Sequence, residues 1–271
     1  MVLARVNALA IVPLESVSII FLSGYSNFQF DLDLKLNARA SMNPETIETV
    51  SSESLFPAEL ENRLAGDALL AVLTLHDESD AVPLARALVE GGITSMELAW
   101  RTPASLAALK AIVREVPEML AGVGTILSRE QLEAARDAGA AFGVSPGLSV
   151  NLLEAAGEMN FPYAPGIMSP SEIQIATEYG CRFLKFFPAE SSGGINHLKN
   201  INAPFKHLNL HYIVLGGLSE TNLPLYLSEP SVSVIGGSWI AAPDLIRNND
   251  WNAIRDRAAS ARRIIRKARN G

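Results

Sequence analysis

The chain has 271 residues, 48% of them hydrophobic and 7% aromatic, a length and composition that fit one α/β barrel or two small domains. Its net charge of -7 argues against a nucleic-acid-binding or anionic-membrane surface, although local backbone dipoles can still hold an anionic small molecule. The single cysteine, Cys181, excludes an internal disulfide and any site built from several cysteines, and it fits a reducing cytoplasm.

The first part of the chain, residues 1–55, differs in pattern from the rest. Pro13 and Glu15 divide its apolar patches, so no uninterrupted stretch reaches the roughly 20 residues that a membrane-spanning helix needs. Residues 41–54 are rich in Ser, Thr, Asn and Glu, which is typical of a solvated linker. We expect an N-terminal extension that is disordered or results from a start codon chosen too early, and no membrane segment.

From Pro57 onward, short apolar runs alternate with amphipathic helical patterns. Counting the first, eight strands are predicted, near residues 68–75, 93–98, 120–124, 142–145, 163–165, 183–187, 212–215 and 232–235. Eight βα units in roughly 200 residues predict a (β/α)8 TIM barrel, an α/β fold that forms a single domain over residues 56–271. A doubly wound open sheet is the alternative, but it needs no eighth strand, and no Gly-x-Gly-x-x-Gly follows the first strand.

The sixth predicted strand carries one lysine, Lys185, inside an apolar run that is bounded by Gly180 and Pro188. Burial disfavours the charged form of an amine, and a neutral amine is the nucleophile that forms a Schiff base. The stretch alone also allows a structural lysine, whose stem packs while its ammonium reaches the barrel mouth or pairs with a carboxylate.

Other chemically capable residues fall at the same end of the predicted barrel, where the active sites of this fold lie. Glu97 ends the second strand, and it could be either an ion-pair partner of Lys185 or a general acid/base. Arg101 offers a planar fork for a carboxylate, with Thr125 as a further donor. An amine, a carboxylate and a guanidinium together indicate chemistry on a 2-oxo acid.

Paired glycines follow the last two strands, at Gly216-Gly217 and Gly236-Gly237-Ser238. Either pair alone is typical of a tight turn between a strand and a helix. The two together, with a serine hydroxyl beside one of them, favour a phosphate held by backbone N–H groups.

Seven motifs in this order resemble those of the class I 2-keto-3-deoxy-6-phosphogluconate (KDPG) and 4-hydroxy-2-oxoglutarate (KHG) aldolases. They are Glu97-Leu-Ala-Trp-Arg101-Thr102, Gly122-Val-Gly-Thr125, Ser145-Pro-Gly147, Pro165-Gly166, Phe183-Leu-Lys185-Phe-Phe-Pro-Ala-Glu190, Gly216-Gly217 and Gly236-Gly-Ser-Trp239. The resemblance implies a lyase that cleaves 2-dehydro-3-deoxy-6-phosphogluconate to pyruvate and glyceraldehyde 3-phosphate, and also 4-hydroxy-2-oxoglutarate to pyruvate and glyoxylate. It further implies a cytoplasmic homotrimer of the Entner-Doudoroff pathway that needs no metal and no cofactor.

The resemblance also implies a role for each matching residue. Lys185 forms the Schiff base, Glu97 is the general acid/base, and the pyruvate carboxylate is bound by Arg101 and Thr125. The remaining substrate contacts are assigned to Pro146, Phe186, Gly216, Gly217, Gly237 and Ser238.

Three departures from the family pattern concern the substrate rather than the reaction. Leu215 stands where threonine is usual, Trp100 where a smaller aliphatic residue is common, and Ala71 and Thr74 where the family often has proline and, in the phosphogalactonate branch, arginine. The absence of that arginine and the Phe186-Phe-Pro-Ala-Glu190 ending favour the phosphogluconate branch. The alternatives are a 2-dehydro-3-deoxy-6-phosphogalactonate aldolase, or a non-catalytic barrel that binds a phosphorylated metabolite. The four histidines have no metal-ligand spacing.

Overall fold

The structure is a computed structural model of the chain, and it describes residues 54–270. Nine parallel strands form one sheet. They are β1 (Leu69–Leu73), β2 (Ser95–Ala99), β3 (Leu120–Gly124), β4 (Gly143–Val144), β5 (Tyr163–Ala164), β6 (Gly166–Ile167), β7 (Phe183–Phe186), β8 (His211–Val214) and β9 (Val232–Gly237). The extension predicted over residues 1–55 lies almost wholly outside the described residues, so that boundary stays a prediction.

The strands lie in the order β5-β4-β3-β2-β1-β9-β8-β7-β6. The two strands at the ends of this order, β5 and β6, are consecutive in the sequence. Only Pro165 separates them. Proline has no backbone N–H to give to a ladder, so β5 and β6 are two halves of one interrupted strand, which pairs with β4 by one half and with β7 by the other. The nine strands thus correspond to the eight predicted ones, and the (β/α)8 barrel is confirmed.

Helices connect the strands by crossovers of the usual parallel kind. They are α1 (Ala58–Asp67), α2 (Ala81–Glu90), α3 (Ser105–Glu115), α4 (Arg129–Asp137), α5 (Val150–Glu158), α6 (Pro170–Glu178), α7 (Gly194–Asn202), α8 (Leu223–Leu227), α9 (Pro243–Arg247) and α10 (Trp251–Asn270). Their starts follow from local sequence: Ser169 and Glu172 form a reciprocal capping box at α6, with Pro170 in the first turn. Within the described residues, no helix is both long and apolar enough to cross a membrane.

Buried side chains form two layers, as expected when successive residues of a strand point to opposite faces. One layer lies between the strands and the surrounding helices. The other fills the barrel interior: Phe56, Leu64, Leu70, Leu120, Phe142, Val144, Ala164, Phe183, Ile213, Leu215 and Val234.

Helix α1 closes the amino-terminal end of the barrel. Its fully buried Leu64, together with Phe56 just before the helix, packs among interior side chains from the first residues of several strands. The Phe56 ring centroid lies 4.7 Å from that of Phe183. This packing leaves the opposite, carboxyl-terminal end of the barrel as the place for an open site.

Candidate active site

Two charged side chains meet inside the barrel. The Nζ atom of Lys185 on β7 lies 2.9 Å from Oε1 and 3.2 Å from Oε2 of Glu97 on β2. Lys185 is 5% exposed and Glu97 is 2% exposed, so water screens this pair very little. The structure therefore brings together the predicted amine and the predicted carboxylate, which are 88 residues apart in sequence.

Glycine makes room for the carboxylate. Glu97 is paired with Gly122 across β2 and β3, and Gly124 follows two residues later on the same face of β3. A Cβ atom at Gly124 would lie 1.8 Å from Oε1 of Glu97, which no side chain could tolerate. The Gly-Val-Gly motif of β3 thus fixes where the Glu97 carboxylate lies.

A second glycine, beside Lys185, allows another close approach, here between two segments of backbone. Gly166 on β6 is the register partner of Lys185, and a Cβ atom there would lie 2.5 Å from the carbonyl oxygen of Pro146. Ser145 anchors the segment that contains Pro146, because its hydroxyl accepts hydrogen bonds from the Tyr163 hydroxyl at 2.6 Å and from the Gly166 N–H at 3.3 Å. Burial raises the pKa of Tyr163 well above its ordinary value, so its hydroxyl remains a donor.

Arg101 and Thr125 lie side by side at the mouth of the barrel. The Nε–H of Arg101 donates to the Thr125 hydroxyl oxygen over 3.4 Å, and the Arg101 side chain is exposed. Thr125 has a φ of +60°, an uncommon backbone conformation for a β-branched residue. The terminal guanidinium nitrogens of Arg101 have no hydrogen-bond partner in the described part of the chain, so they could bind an added carboxylate.

A cavity of about 310 Å³ opens at this end of the barrel. Five of the residues predicted from sequence line it: Arg101, Gly216, Gly217, Gly237 and Ser238. The Lys185–Glu97 pair adjoins the cavity, because Val72, the register partner of Glu97, also lines it. So does Phe187, whose ring centroid is 5.4 Å from the Lys185 Nζ atom.

The two glycine turns form one wall of the cavity. Gly216 and Gly217 have φ angles of +102° and +80°, which favour glycine, and their N–H groups donate to no backbone carbonyl among residues 54–270. The turn is held from behind by its carbonyl, since the N–H of Glu190 donates to the Gly216 carbonyl at 3.0 Å. Free N–H groups of this kind are suited to an anion.

The second turn depends on a tryptophan. A Cβ atom at Gly237 would lie 2.2 Å from Nε1 of Trp239, so the indole fills the space behind the turn. This Nε1 is a buried side-chain nitrogen that has no hydrogen-bond partner in the described residues. Ser238, between them, is exposed at the cavity rim.

One expectation needs correction. Phe186, predicted to line the pocket, is fully buried in the outer layer, with its ring centroid 6.0 Å from that of His197. Residues alternate between the two faces of a strand, so Phe187 rather than Phe186 shares the interior face with Lys185. The position of the lysine was itself the signal that could have placed the correct phenylalanine.

Further cavity residues were not identified as site residues from the sequence. Val72, Thr74, Ala99 and Leu215 all line the cavity. β1 reads as a continuous apolar run because it is buried on both faces, so its sequence does not reveal which residues point inward. Pairing of Val72 with Glu97 supplies that information.

Comparisons with known proteins agree on one family. The family model described as KDPG and KHG aldolase matches residues 60–257. A 2-dehydro-3-deoxy-phosphogluconate aldolase of Pseudoalteromonas atlantica is 42% identical over 193 residues, which cover 71% of this chain and 89% of the relative. The KHG/KDPG aldolase of Escherichia coli is 39% identical over 201 residues, which cover 74% of this chain and 93% of that protein.

Solved structures give the same result. A crystal structure of KDPG aldolase from Legionella pneumophila, with pyruvate captured at low pH as a covalent carbinolamine intermediate, superposes with a TM-score of 0.71. The two sequences are 34% identical, and the match covers 74% of this chain and 97% of the other. By family model, sequence and structure alike, the chain belongs to the KDPG and KHG aldolase family.

Proposed function

We propose that this protein is a class I aldolase that cleaves 2-dehydro-3-deoxy-6-phosphogluconate to pyruvate and glyceraldehyde 3-phosphate. We infer the corresponding cleavage of 4-hydroxy-2-oxoglutarate to pyruvate and glyoxylate as a second activity. The observation that carries the proposal is the buried contact of 2.9 Å between the Lys185 amine and the Glu97 carboxylate. Membership of the family and the carbinolamine held by the Legionella relative support it.

The first role of Glu97 is to prepare the nucleophile. An ammonium cannot attack a carbonyl, so Lys185 must first give up a proton, and a carboxylate at hydrogen-bond distance can accept it. The neutral amine then adds to the C2 ketone to form a carbinolamine. Glu97 returns the proton to the departing hydroxyl, water leaves, and a protonated Schiff base remains.

Cleavage follows from the iminium. Glu97, again a carboxylate, takes the proton of the C4 hydroxyl, the C3–C4 bond breaks, and its electron pair moves to the iminium nitrogen. The C4 aldehyde leaves, and the enamine that remains accepts the proton at C3. Water then hydrolyses the resulting iminium, which releases pyruvate and restores the Lys185 amine. One carboxylate within reach of the amine suffices for every proton transfer.

Different residues of the site would bind the two anionic groups of the substrate. Arg101, with Thr125 beside it, would bind the pyruvate carboxylate, and Pro146 would line the pocket beside the lysine. The N–H groups of Gly216, Gly217 and Gly237, with the Ser238 hydroxyl, would bind the phosphate. The support for this assignment is that Arg101 and four of the phosphate-side residues line the same cavity and that the Gly216 and Gly217 N–H groups lack backbone partners within residues 54–270.

We also infer a homotrimer that works in the cytoplasm. The family resemblance supports the trimer. The chain has a single cysteine, Cys181, so no disulfide can form within it, which supports a reducing compartment such as the cytoplasm. Light scattering that gave three times the mass of the chain would support the trimer, and a monomer mass would contradict it.

The proposal is tested by borohydride reduction in the presence of pyruvate, followed by peptide mass spectrometry. We expect a stable pyruvate adduct on the peptide that contains Lys185. Lys185→Met should abolish the adduct, whereas Lys199→Met, which alters a half-exposed lysine on α7, should leave it unchanged. A folded wild-type protein without an adduct would overturn the aldolase and favour the non-catalytic, phosphate-binding barrel.

A further inference from the structure

Tyr226 on α8 is a fully buried tyrosine to which neither the sequence nor the proposed mechanism gives a role. Its hydroxyl donates a hydrogen bond to Oε1 of Glu190, in the segment that follows β7. Burial, with the Glu190 carboxylate beside the hydroxyl, raises the pKa of Tyr226, so the hydroxyl keeps its proton and remains a donor. This contact joins the segment after β7 to the helix after β8.

Glu190 packs on the glycine turn that follows β8. A Cβ atom at Gly217 would lie 2.7 Å from Cβ and 3.0 Å from Cγ of Glu190, so this contact requires a glycine. The Glu190 N–H donates to the Gly216 carbonyl at 3.0 Å. Glu190 therefore touches both residues of the turn, the first through its backbone and the second through its side chain.

Both carbonyls of this turn are bonded to the protein. The Gly216 carbonyl accepts from Glu190, and the Gly217 carbonyl accepts from Nδ2 of Asn222 over 3.4 Å. The Asn222 side chain is itself fixed, since its Oδ1 accepts from the Ser219 N–H at 2.8 Å. Backbone that directs its carbonyls to protein donors and leaves its N–H groups free is suited to an anion.

The Glu190 carboxylate lies beside this turn but outside the cavity. Glu190 is an exposed residue that does not line the cavity, and an exposed glutamate has several accessible rotamers. A Cβ atom at Gly194 would lie 3.4 Å from both Glu190 Oε1 and the Tyr226 hydroxyl oxygen. The hydrogen bond thus holds the carboxylate at the amino-terminal end of α7, where the helix dipole favours a negative charge.

We propose that Tyr226 is a positioning residue that sets the affinity of the Gly216-Gly217 turn for the substrate phosphate, because it holds the Glu190 carboxylate at α7 and out of the cavity. The inference rests on the proposed function, which assigns this turn to the phosphate. Without the hydroxyl, the carboxylate is free to turn toward the bound phosphate, and the two negative charges repel each other. The Lys185–Glu97 pair is not involved in this contact.

The test compares wild type with Tyr226→Phe, which removes only the hydroxyl. We expect KM for 2-dehydro-3-deoxy-6-phosphogluconate and the inhibition constant of inorganic phosphate to rise by about fivefold, the size of a single net hydrogen bond, while kcat stays within about twofold of wild type. Pyruvate has no phosphate, so trapping on Lys185 should keep its dependence on pyruvate concentration. A role limited to packing would instead lower kcat and trapping, through loss of folded protein, and leave KM unchanged.

A second substitution identifies the cause. Adding Glu190→Gln to Tyr226→Phe removes the freed charge, so both constants should return to within about twofold of wild type. Glu190→Gln alone should raise neither constant, because glutamine keeps an acceptor oxygen for the Tyr226 hydroxyl. Tyr212→Phe is the matched control: Tyr212 on β8 is also fully buried, and its hydroxyl donates to Oδ1 of Asn202 at 2.9 Å, so both constants should stay unchanged.

The outcomes separate this inference from the proposed function. Unchanged constants in Tyr226→Phe, or a rise that Glu190→Gln fails to reverse, would overturn the role of Tyr226 alone. A wild type that inorganic phosphate does not inhibit would overturn the assignment of the turn to phosphate. A wild type that does not trap pyruvate would overturn the aldolase, and the inference falls with either.

Discussion

The two ends of the barrel interior are built from the same strands and are filled in opposite ways. On β7, Phe183 and Lys185 point to the same interior face two residues apart. Phe183 packs on the Phe56 ring at the amino-terminal end, whereas Lys185 pairs with a buried carboxylate toward the carboxyl end. One step along a single strand thus changes the interior from hydrocarbon to charge.

The difference fits the proposed function, in which the amino-terminal end maintains the fold and the carboxyl-terminal end performs the chemistry. Burial of Phe56 and Leu64 stabilises the barrel, at about 25 cal/mol for each Å² of apolar surface removed from water. A buried ion pair contributes little net stability, because the loss of hydration opposes the attraction between the charges. Under the proposed mechanism the Lys185–Glu97 pair is explained by its reactivity, whereas the amino-terminal packing is explained by its contribution to stability.

The largest effect should come from exchanging a carboxylate for an amide at the reactive end. Glu97→Gln keeps the shape of the side chain and a hydrogen-bond acceptor for Lys185, but the amide cannot take up a proton. We expect kcat for cleavage to fall by about 10²- to 10⁴-fold, the usual contribution of general acid–base catalysis. Pyruvate release, coupled to lactate dehydrogenase, measures it.

The control is the same Glu→Gln substitution at the amino-terminal end of the barrel. Glu61 on α1 contacts His211 on β8, neither residue lines the cavity, and Glu61→Gln should leave kcat unchanged. A Glu97→Gln protein that retained kcat within about tenfold of wild type would contradict the role of Glu97 as the general acid/base.

The sequence predicts the order and position of the strands well, because apolar runs bounded by Gly and Pro mark each one. It also predicts the approach of Lys185 to Glu97, since both residues lie near the carboxyl ends of barrel strands and these ends meet. The interrupted strand at Pro165 was predicted as a single strand, since the turn signal and the strand signal overlap there.

What the sequence does not reveal is mostly the direction of side chains in strands buried on both faces. Phe186 and Phe187 are chemically identical neighbours, and only the alternation counted from Lys185 separates them. Thr74 follows an unbroken apolar run that shows no alternation. The closure of the barrel by α1 was also not predicted, because a short helix contains no information on which end of the strands it will cover.

A smaller effect, on stability, should follow from a cavity at the apolar end. Leu64 is fully buried, and Leu64→Ala should lower the free energy of unfolding by about 3 kcal/mol through lost burial and the hole left behind. At 25 °C kcat should stay near the wild-type value, because the folded fraction remains high. Urea denaturation and the coupled assay measure the two quantities.

Asn62→Ala is the control for this variant. Asn62 lies on the exposed side of the same helix, so its replacement removes almost no buried surface, and stability should stay within about 0.5 kcal/mol of wild type. A Leu64→Ala protein that lost kcat without losing stability would contradict the assignment of stability to the amino-terminal end and of catalysis to the carboxyl-terminal end.

The smallest expected effect concerns the ion pair between Glu61 and His211, at the amino-terminal end of the barrel. The hydrogen bond from His211 to Glu61 raises the pKa of His211 above its ordinary value, against the opposing effect of partial burial. A histidine pKa that is higher in the folded than in the unfolded state adds stability at low pH, fully below about 6.5, and that stability is lost as pH rises through the folded pKa. The pair thus stabilises the barrel most at low pH, and its contribution declines as His211 loses its proton.

The measurement is the difference in unfolding free energy between wild type and His211→Gln, determined by urea denaturation at pH 5.5 and at pH 8.5. The advantage of wild type should be larger at pH 5.5, by less than about 1 kcal/mol, because the His211 side chain is 45% exposed and water screens the pair. Glu61→Gln should remove the pH dependence of that difference. An advantage that grew toward pH 8.5 would contradict the pairing, whereas kcat should differ little between wild type and either variant at both pH values, since neither side chain lines the cavity.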